Sequence, residues 1–257
     1  DLVRSRGLGD VYKRQALVGG TGAKVQGNNA IAFGDTAKAT SDDAYAIGRK
    51  AEATAQNTVA IGNNAKANNI MGTAIGYNAK AKNDYATAVG YSSTGSGNQS
   101  SAFGFNAEAT AMNTTAVGSY ANASGAYSTA LGFKTAASNE DAVALGNYST
   151  SAGKSAFAAG PLAKAAEKDS LAIGHSATTT KENGIAIGTN AKATTDNSIA
   201  LGAKSVTGTA VSTSSGVIGG RTYSFAGGNA VGTLSIGDSG AERTITNVAA
   251  VSYTHLR

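Results

Sequence analysis

Cysteine is absent from this chain, which excludes disulfides and thiolate metal sites and suits a surface protein that avoids oxidation chemistry. Tryptophan is absent too, proline occurs once, at Pro161, and aromatics make up 6% of the 257 residues. The two histidines are His175, in an exposed turn position, and His255, near the C-terminus, so neither a catalytic triad nor a histidine-rich metal site can be assembled. No run is long and apolar enough to span a membrane as a helix, and the first residues do not read as a signal peptide. The formal charge is +5, but residues 1–15 supply two of these charges and Arg257 one, leaving +2 for the other 241 residues. Without a basic patch interleaved with aromatics, nucleic-acid binding is not expected.

Glycine, by contrast, is abundant, with 34 residues, and it is spaced. Gly34, Gly48, Gly62, Gly76, Gly90, Gly104, Gly118, Gly132, Gly146, Gly160, Gly174, Gly188 and Gly202 lie 14 residues apart without a break, and one step back reaches Gly20. So strict a period means a solenoid. With the opening glycine at position zero, position +12 is alanine in all thirteen repeats, from Ala32 to Ala200. Position +13 is bulky and apolar in twelve: Phe33, Ile47, Ile61, Ile75, Val89, Phe103, Val117, Leu131, Leu145, Ile173, Ile187 and Leu201; Ala159 departs. Position +11 is often β-branched or large, as strands prefer. Earlier in the repeat comes Ala-x-Ala, as in Ala37-Lys38-Ala39 and Ala191-Lys192-Ala193, the alternation of a strand wet on one face. Asn or Asp at position +9 (Asn29, Asp43, Asn57 and five more) marks one turn. The glycine marks the other, where positive φ or close approach of backbone is needed.

The reading is all-β: a parallel β-roll of 14-residue coils, two short strands per coil. Coils stacked about 4.8 Å apart make a rod on the order of 60 Å long, held by a ladder of backbone hydrogen bonds rather than by large side chains. The strand at +11 to +13 is apolar on both faces, and the roll's interior covers only one. The other leaves roughly 800 Å² of apolar ladder open, more than soluble monomers usually expose. A homo-oligomer packed along this sheet is therefore expected. The twelve residues at +13 are either coil core or subunit packing; periodicity alone leaves both open.

The regular roll is assigned to 16–202. Residues 1–15 and 251–257 share nothing with the period and are read as foreign flanks. After Gly202 the period stops. There follow Thr222-Tyr223-Ser224-Phe225-Ala226-Gly227, Gly232-Thr233-Leu234-Ser235-Ile236-Gly237 and Gly240-Ala241-Glu242-Arg243-Thr244-Ile245-Thr246-Asn247-Val248-Ala249-Ala250.

Repeats and tail together resemble the head and neck of the YadA-like trimeric autotransporter adhesins; the likeness covers about 235 of the 257 residues. The resemblance implies a left-handed roll trimerised about a central axis, with residues 203–250 as insert and neck. It implies that Glu242, Arg243 and Asn247 lie between subunits of a homotrimer, with Glu242 and Arg243 fixing register through charge-assisted bonds. It also implies a bacterial cell-surface location, exposed at the outer membrane. The partners it implies are host matrix proteins (collagen, fibronectin, laminin), host cells, or other copies. The family's stalk, membrane anchor and signal peptide are not expected within these residues.

No enzymatic role and no cofactor or metal is expected. Gly19-Gly20-Thr21-Gly22-Ala23-Lys24 lacks phosphate-loop spacing, and the 14-residue register accounts for it. A lysine column at +4 (Lys24, Lys38, Lys66, Lys80, Lys164 and Lys192, interrupted by Glu52 and Glu108) reads either as a solvated face that blunts aggregation or as a cationic ladder facing an anionic ligand. Tyr77, Tyr91, Phe105 and Phe133, each just after a glycine, either pack over neighbouring turns and subunits or meet flat ligands. The leading function is adhesion through a repetitive, multivalent surface. A structural spacer without its own ligand stands beside it. Ice binding would need two aligned threonine columns, and Thr73, Thr87, Thr115 and Thr129 supply one partial column.

Overall fold

The computed structural model describes residues 16–249; both presumed flanks, His255 and Ala250 lie outside the described residues. Two parallel sheets wind along the chain. One is 15-stranded and holds the strand of positions +11 to +13 from every coil, from Leu17–Gly19 to Ile199–Leu201, and then Leu234–Ser235. The other is 13-stranded and holds the two-residue strands from Lys24–Val25 to Lys192–Ala193. Each residue pairs with the one 14 further on, as in Ile31↔Tyr45, Ala32↔Ala46 and Phe33↔Ile47. Among the described residues there is no helix. The expected β-roll of 14-residue coils is what forms.

Each coil proves to be two seven-residue halves of one design. Position +2 has left-handed φ, as at Asn64 (59°) and Asn78 (57°), and so has position +9, as at Asn57 (57°) and Asn113 (55°). In both halves the fourth residue's N–H donates to the first residue's C=O, for example Ala37 to Gly34 at 3.2 Å and Ala86 to Asn83 at 3.2 Å. Positive φ at the third residue with that bond defines a type II turn. The sequence marks the +9 corner through its Asn and Asp; the +2 corner carries the same signal at Asn64, Asn78, Asn106 and Asn190, and the reading above missed it.

The fourth and sixth residues of each half point inward. Ala30, Ala32, Ala37 and Ala39 are fully buried, and the four columns they begin, at +10, +12, +3 and +5, are the interior. A methyl built on Gly72 would stand 3.5 Å from Ala81 Cβ and 3.7 Å from Ala67 Cβ, so the sheets are about one methyl pair apart. The space therefore admits Ala, Ser, Thr and Gly along the roll, with Val25 packed half-buried against it in the first coil. Several buried hydroxyls return to the turn carbonyl three residues back: Thr58 to Ala55 at 2.6 Å, Thr114 to Ala111 at 2.7 Å, Ser170 to Glu167 at 2.6 Å. Others reach across the interior, as Ser128 does to Ala137 C=O and Ser151 to Ala156 C=O. Ser100 Oγ is buried without a partner among the described residues.

The ladder does not end with the period. Val206 bridges Lys192, and Leu234 pairs with Ile199, 35 residues earlier: one period plus 21. The extra residues loop out after Thr207 and carry the antiparallel hairpin Ser215–Ile218 with Arg221–Ser224. Gly232-Thr233-Leu234-Ser235-Ile236-Gly237 is thus the second half of one more coil, interrupted by a 21-residue excursion.

Candidate functional site

With the alanines inside, positions +11 and +13 face out. Phe33 is 58% exposed, Leu131 48% and Ile75 36%. The whole +13 column (Phe33, Ile47, Ile61, Ile75, Val89, Phe103, Val117, Leu131, Leu145, Ile173, Ile187, Leu201) lies on the outer face of the long-strand sheet, half-buried or exposed. Of the two roles open to it, coil core is excluded, because a +13 side chain points away from an interior one methyl pair wide. What remains is an apolar strip along the roll.

The turn glycines from Gly34 to Gly202 all have φ between 111° and 137°, a region closed to other residues. They also stack. A methyl at Gly104 would sit 2.6 Å from the carbonyl oxygen of Gly118.

The lysine column lies on the outer face of the short-strand sheet. Glu52 stands in register between Lys38 and Lys66 and pairs with both, at 3.1 and 3.0 Å. Partial burial works to raise the Glu52 pKa; the hydrogen bonds and charges of Lys66 and Lys38 outweigh it and hold the carboxyl below its ordinary value. Lys24, Lys80, Lys164 and Lys192 make no ion pair among the described residues and remain open to an anionic partner.

At the glycine corner six rings form one ladder. Tyr77 stacks on Tyr91 at 4.9 Å and Tyr91 on Phe105 at 5.1 Å. Edge-on contacts continue through Tyr120, Phe133 and Tyr148 at 5.2, 6.2 and 5.4 Å. The four aromatics singled out at +1 therefore pack over neighbouring turns. Tyr120 and Tyr148, at +2, complete the series and were missed because they are offset by one residue. His175, at +1 in a later coil, is exposed.

Beyond the last coil, Arg243 Nη1 donates to Ser205 Oγ at 3.1 Å and to Ile236 C=O, and Nη2 donates to Ala203 C=O. These partners belong to its own chain. Glu242 is turned the other way: its Oε1 accepts from Gly240 N–H at 2.9 Å, and backbone donors hold its carboxyl below the ordinary value. Asn247 sits at φ 59°, in a left-handed turn.

Among the described residues no cluster of His, Asp or Glu suits a metal. A narrow alanine-cored roll with long, repetitive outer faces defines a β-solenoid head that works through its surface. The family model "YadA head domain repeat (2 copies)" matches residues 20–37, 39–65, 67–93, 96–121, 123–149, 151–177 and 180–205, most of the roll. The chain belongs to this family and is an exposed head of a cell-surface, YadA-like trimeric autotransporter adhesin. It is 56% identical over 46 residues to autotransporter adhesin BtaE of Brucella suis biovar 1 (strain 1330); the match covers 18% of this chain and 6% of that adhesin's length. A solved structure, the C-terminal YadA-like domain of a Burkholderia pseudomallei protein, is 50% identical over 28% of this chain and 34% of its own, with a TM-score of 0.28. YadA-like adhesins form trimers and bind host surfaces.

Proposed function

We propose that this head assembles as a homotrimer along its apolar strip and presents its remaining faces as a multivalent adhesive surface. The observation that carries the reading is the outward +13 column. Twelve apolar side chains in register, from Phe33 to Leu201, stand on a face that the chain itself leaves open. Three copies with these strips turned inward cover them all. Arg243 keeps two of its five N–H donors free for a neighbouring subunit, and Glu242 and Asn247, in the same neck segment, are the other residues assigned to subunit contacts. The trimer then displays three copies of the lysine column, and each coil repeats the same weak contact, so affinity for a repetitive ligand grows by avidity. Host matrix proteins (collagen, fibronectin, laminin) and the surfaces of other cells, including copies of the same adhesin, are repetitive in this sense.

Sedimentation equilibrium of the chain, with and without a C-terminal trimerising coil, tests assembly. A trimer with the strip protected from hydrogen exchange is expected; a folded single subunit at high concentration with the strip solvated refutes it. Immobilised trimer probed with collagen, fibronectin, laminin and glycans tests adhesion, and failure to retain any of them leaves the head a spacer.

A further inference from the structure

The two carboxylates that interrupt the lysine column have different surroundings. Glu52 lies between two lysines and binds both. Glu108 lies in register between Thr94 and Asn122, and no cation pairs with it among the described residues. Its carboxylate accepts one hydrogen bond, from Asn122 Nδ2 at 3.3 Å. Beside it opens a notch of about 280 Å³ lined by Asn106, Glu108, Tyr120, Ala121 and Asn122. The notch thus joins a carboxylate that lacks a counter-ion to an aromatic ring of the ladder.

The ring ladder already holds one ammonium group. From the following coil, Lys134 Nζ lies 5.8 Å from the Tyr120 centroid and 5.4 Å from those of Phe133 and Tyr148. Ring faces attract cations, and more strongly where a carboxylate adds its charge. An inorganic divalent ion is poorly served, since calcium seeks six to eight oxygens, about, and one carboxylate stands here. An anion is repelled by Glu108.

We propose that this notch binds an organic ammonium cation. Glu108 is the counter-ion, the Tyr120 ring the apolar wall, and the Asn106 and Asn122 amides the polar rim. The volume admits a quaternary headgroup or the end of a lysine side chain. Glu108 and Asn122 stand on the short-strand sheet, away from the apolar strip, so the site does not rest on the trimer.

The test is a titration of the full chain, at constant ionic strength, with tetramethylammonium chloride and separately with N-acetyl-lysine amide. Sodium chloride serves as the control, and NMR shifts of Asn106, Tyr120 and Asn122 are followed. Saturable shifts confined to the notch are expected, and Glu108→Gln weakens binding roughly tenfold or more. Tighter binding of tetramethylammonium points to a quaternary headgroup as the natural ligand, and tighter binding of the lysine amide to a protein side chain. Shifts that sodium reproduces, that never saturate, or that persist in Glu108→Gln with an unchanged melting temperature overturn the proposal.

Discussion

The guanidinium of Arg243 lies against Gly202, where a methyl would stand 3.4 Å from Cζ and Nη1. In every earlier coil the corresponding glycine, from Gly20 to Gly188, faces the backbone of the next glycine, with the same imagined methyl 2.3–2.9 Å away. Arg243 therefore takes the place of the missing next rung. Among the described residues the long-strand ladder ends beside it, where Ile199 and Ala200 pair with Leu234 and Ser235.

As an end cap, Arg243 is expected to hold the last coil rather than the whole roll. Arg243→Ala removes charged donors from Ala203, Ser205 and Ile236, each bond worth about 1–2 kcal/mol when only partly shielded from water. Hydrogen exchange should accelerate at Ile199–Val206 and stay unchanged near Ile75. A fully exchange-silent variant that loses only its trimer would assign Arg243 to the subunit contact alone.

The glycine column predicts a gradient of tolerance. Gly104→Ala puts a side chain at φ 136° and 2.6 Å from Gly118 oxygen, and should cost more than about 3 kcal/mol, the upper range for a strained residue. Gly202→Ala bears the backbone strain at φ 111° but meets nothing nearer than Ser205 Oγ at 3.3 Å, so about 1–3 kcal/mol is expected. Thermal melts of the two variants should separate in that order.

Inside and outside of one strand should answer differently to substitution. Ala88→Leu forces a larger side chain between sheets one methyl pair apart and is expected to unfold the middle coils, by about 3 kcal/mol or more. Ile75→Ser on the outer face should leave the melting of a single subunit within about 1 kcal/mol and weaken self-association instead. Circular dichroism and sedimentation report the two effects separately.

The Glu52 ion pairs set a pH dependence. A carboxyl held below its ordinary value of 4.5 in the fold contributes stability above that pH, and the contribution is lost as pH falls through the lowered value. Glu52→Gln should therefore melt below the parent chain at neutral pH, with the two curves converging in acid. The difference should be small, since both lysines are substantially exposed. A gap that stays constant down to the acid limit would refute the linkage.

Much of the fold was legible because a solenoid repeats its local rules. The fourteen-residue spacing of Gly34 to Gly202, the alanine at +12 and the Asn or Asp at +9 each recur often enough to be read without contacts. The aromatic ladder was half legible: Tyr77, Tyr91, Phe105 and Phe133 share a column, whereas Tyr120 and Tyr148 sit one position on. They join it only because the turn carries both positions to the same corner.

By itself the amino-acid sequence determined the period, the parallel register, the two turns of each coil and the existence of an unsheltered apolar column, since all follow from which residue recurs at which step. Tertiary structure decided which face of the long strand is inside. Alternation shows that +12 and +13 point opposite ways but not which way is in; the narrow gap between the sheets settles it, because it holds alanine and cannot hold isoleucine. Tertiary structure also decided that the chain returns after a 21-residue excursion to add another rung, and that Arg243 closes the glycine column. Those contacts join residues about 35–40 apart in a stretch that keeps no period, so no local pattern announces them.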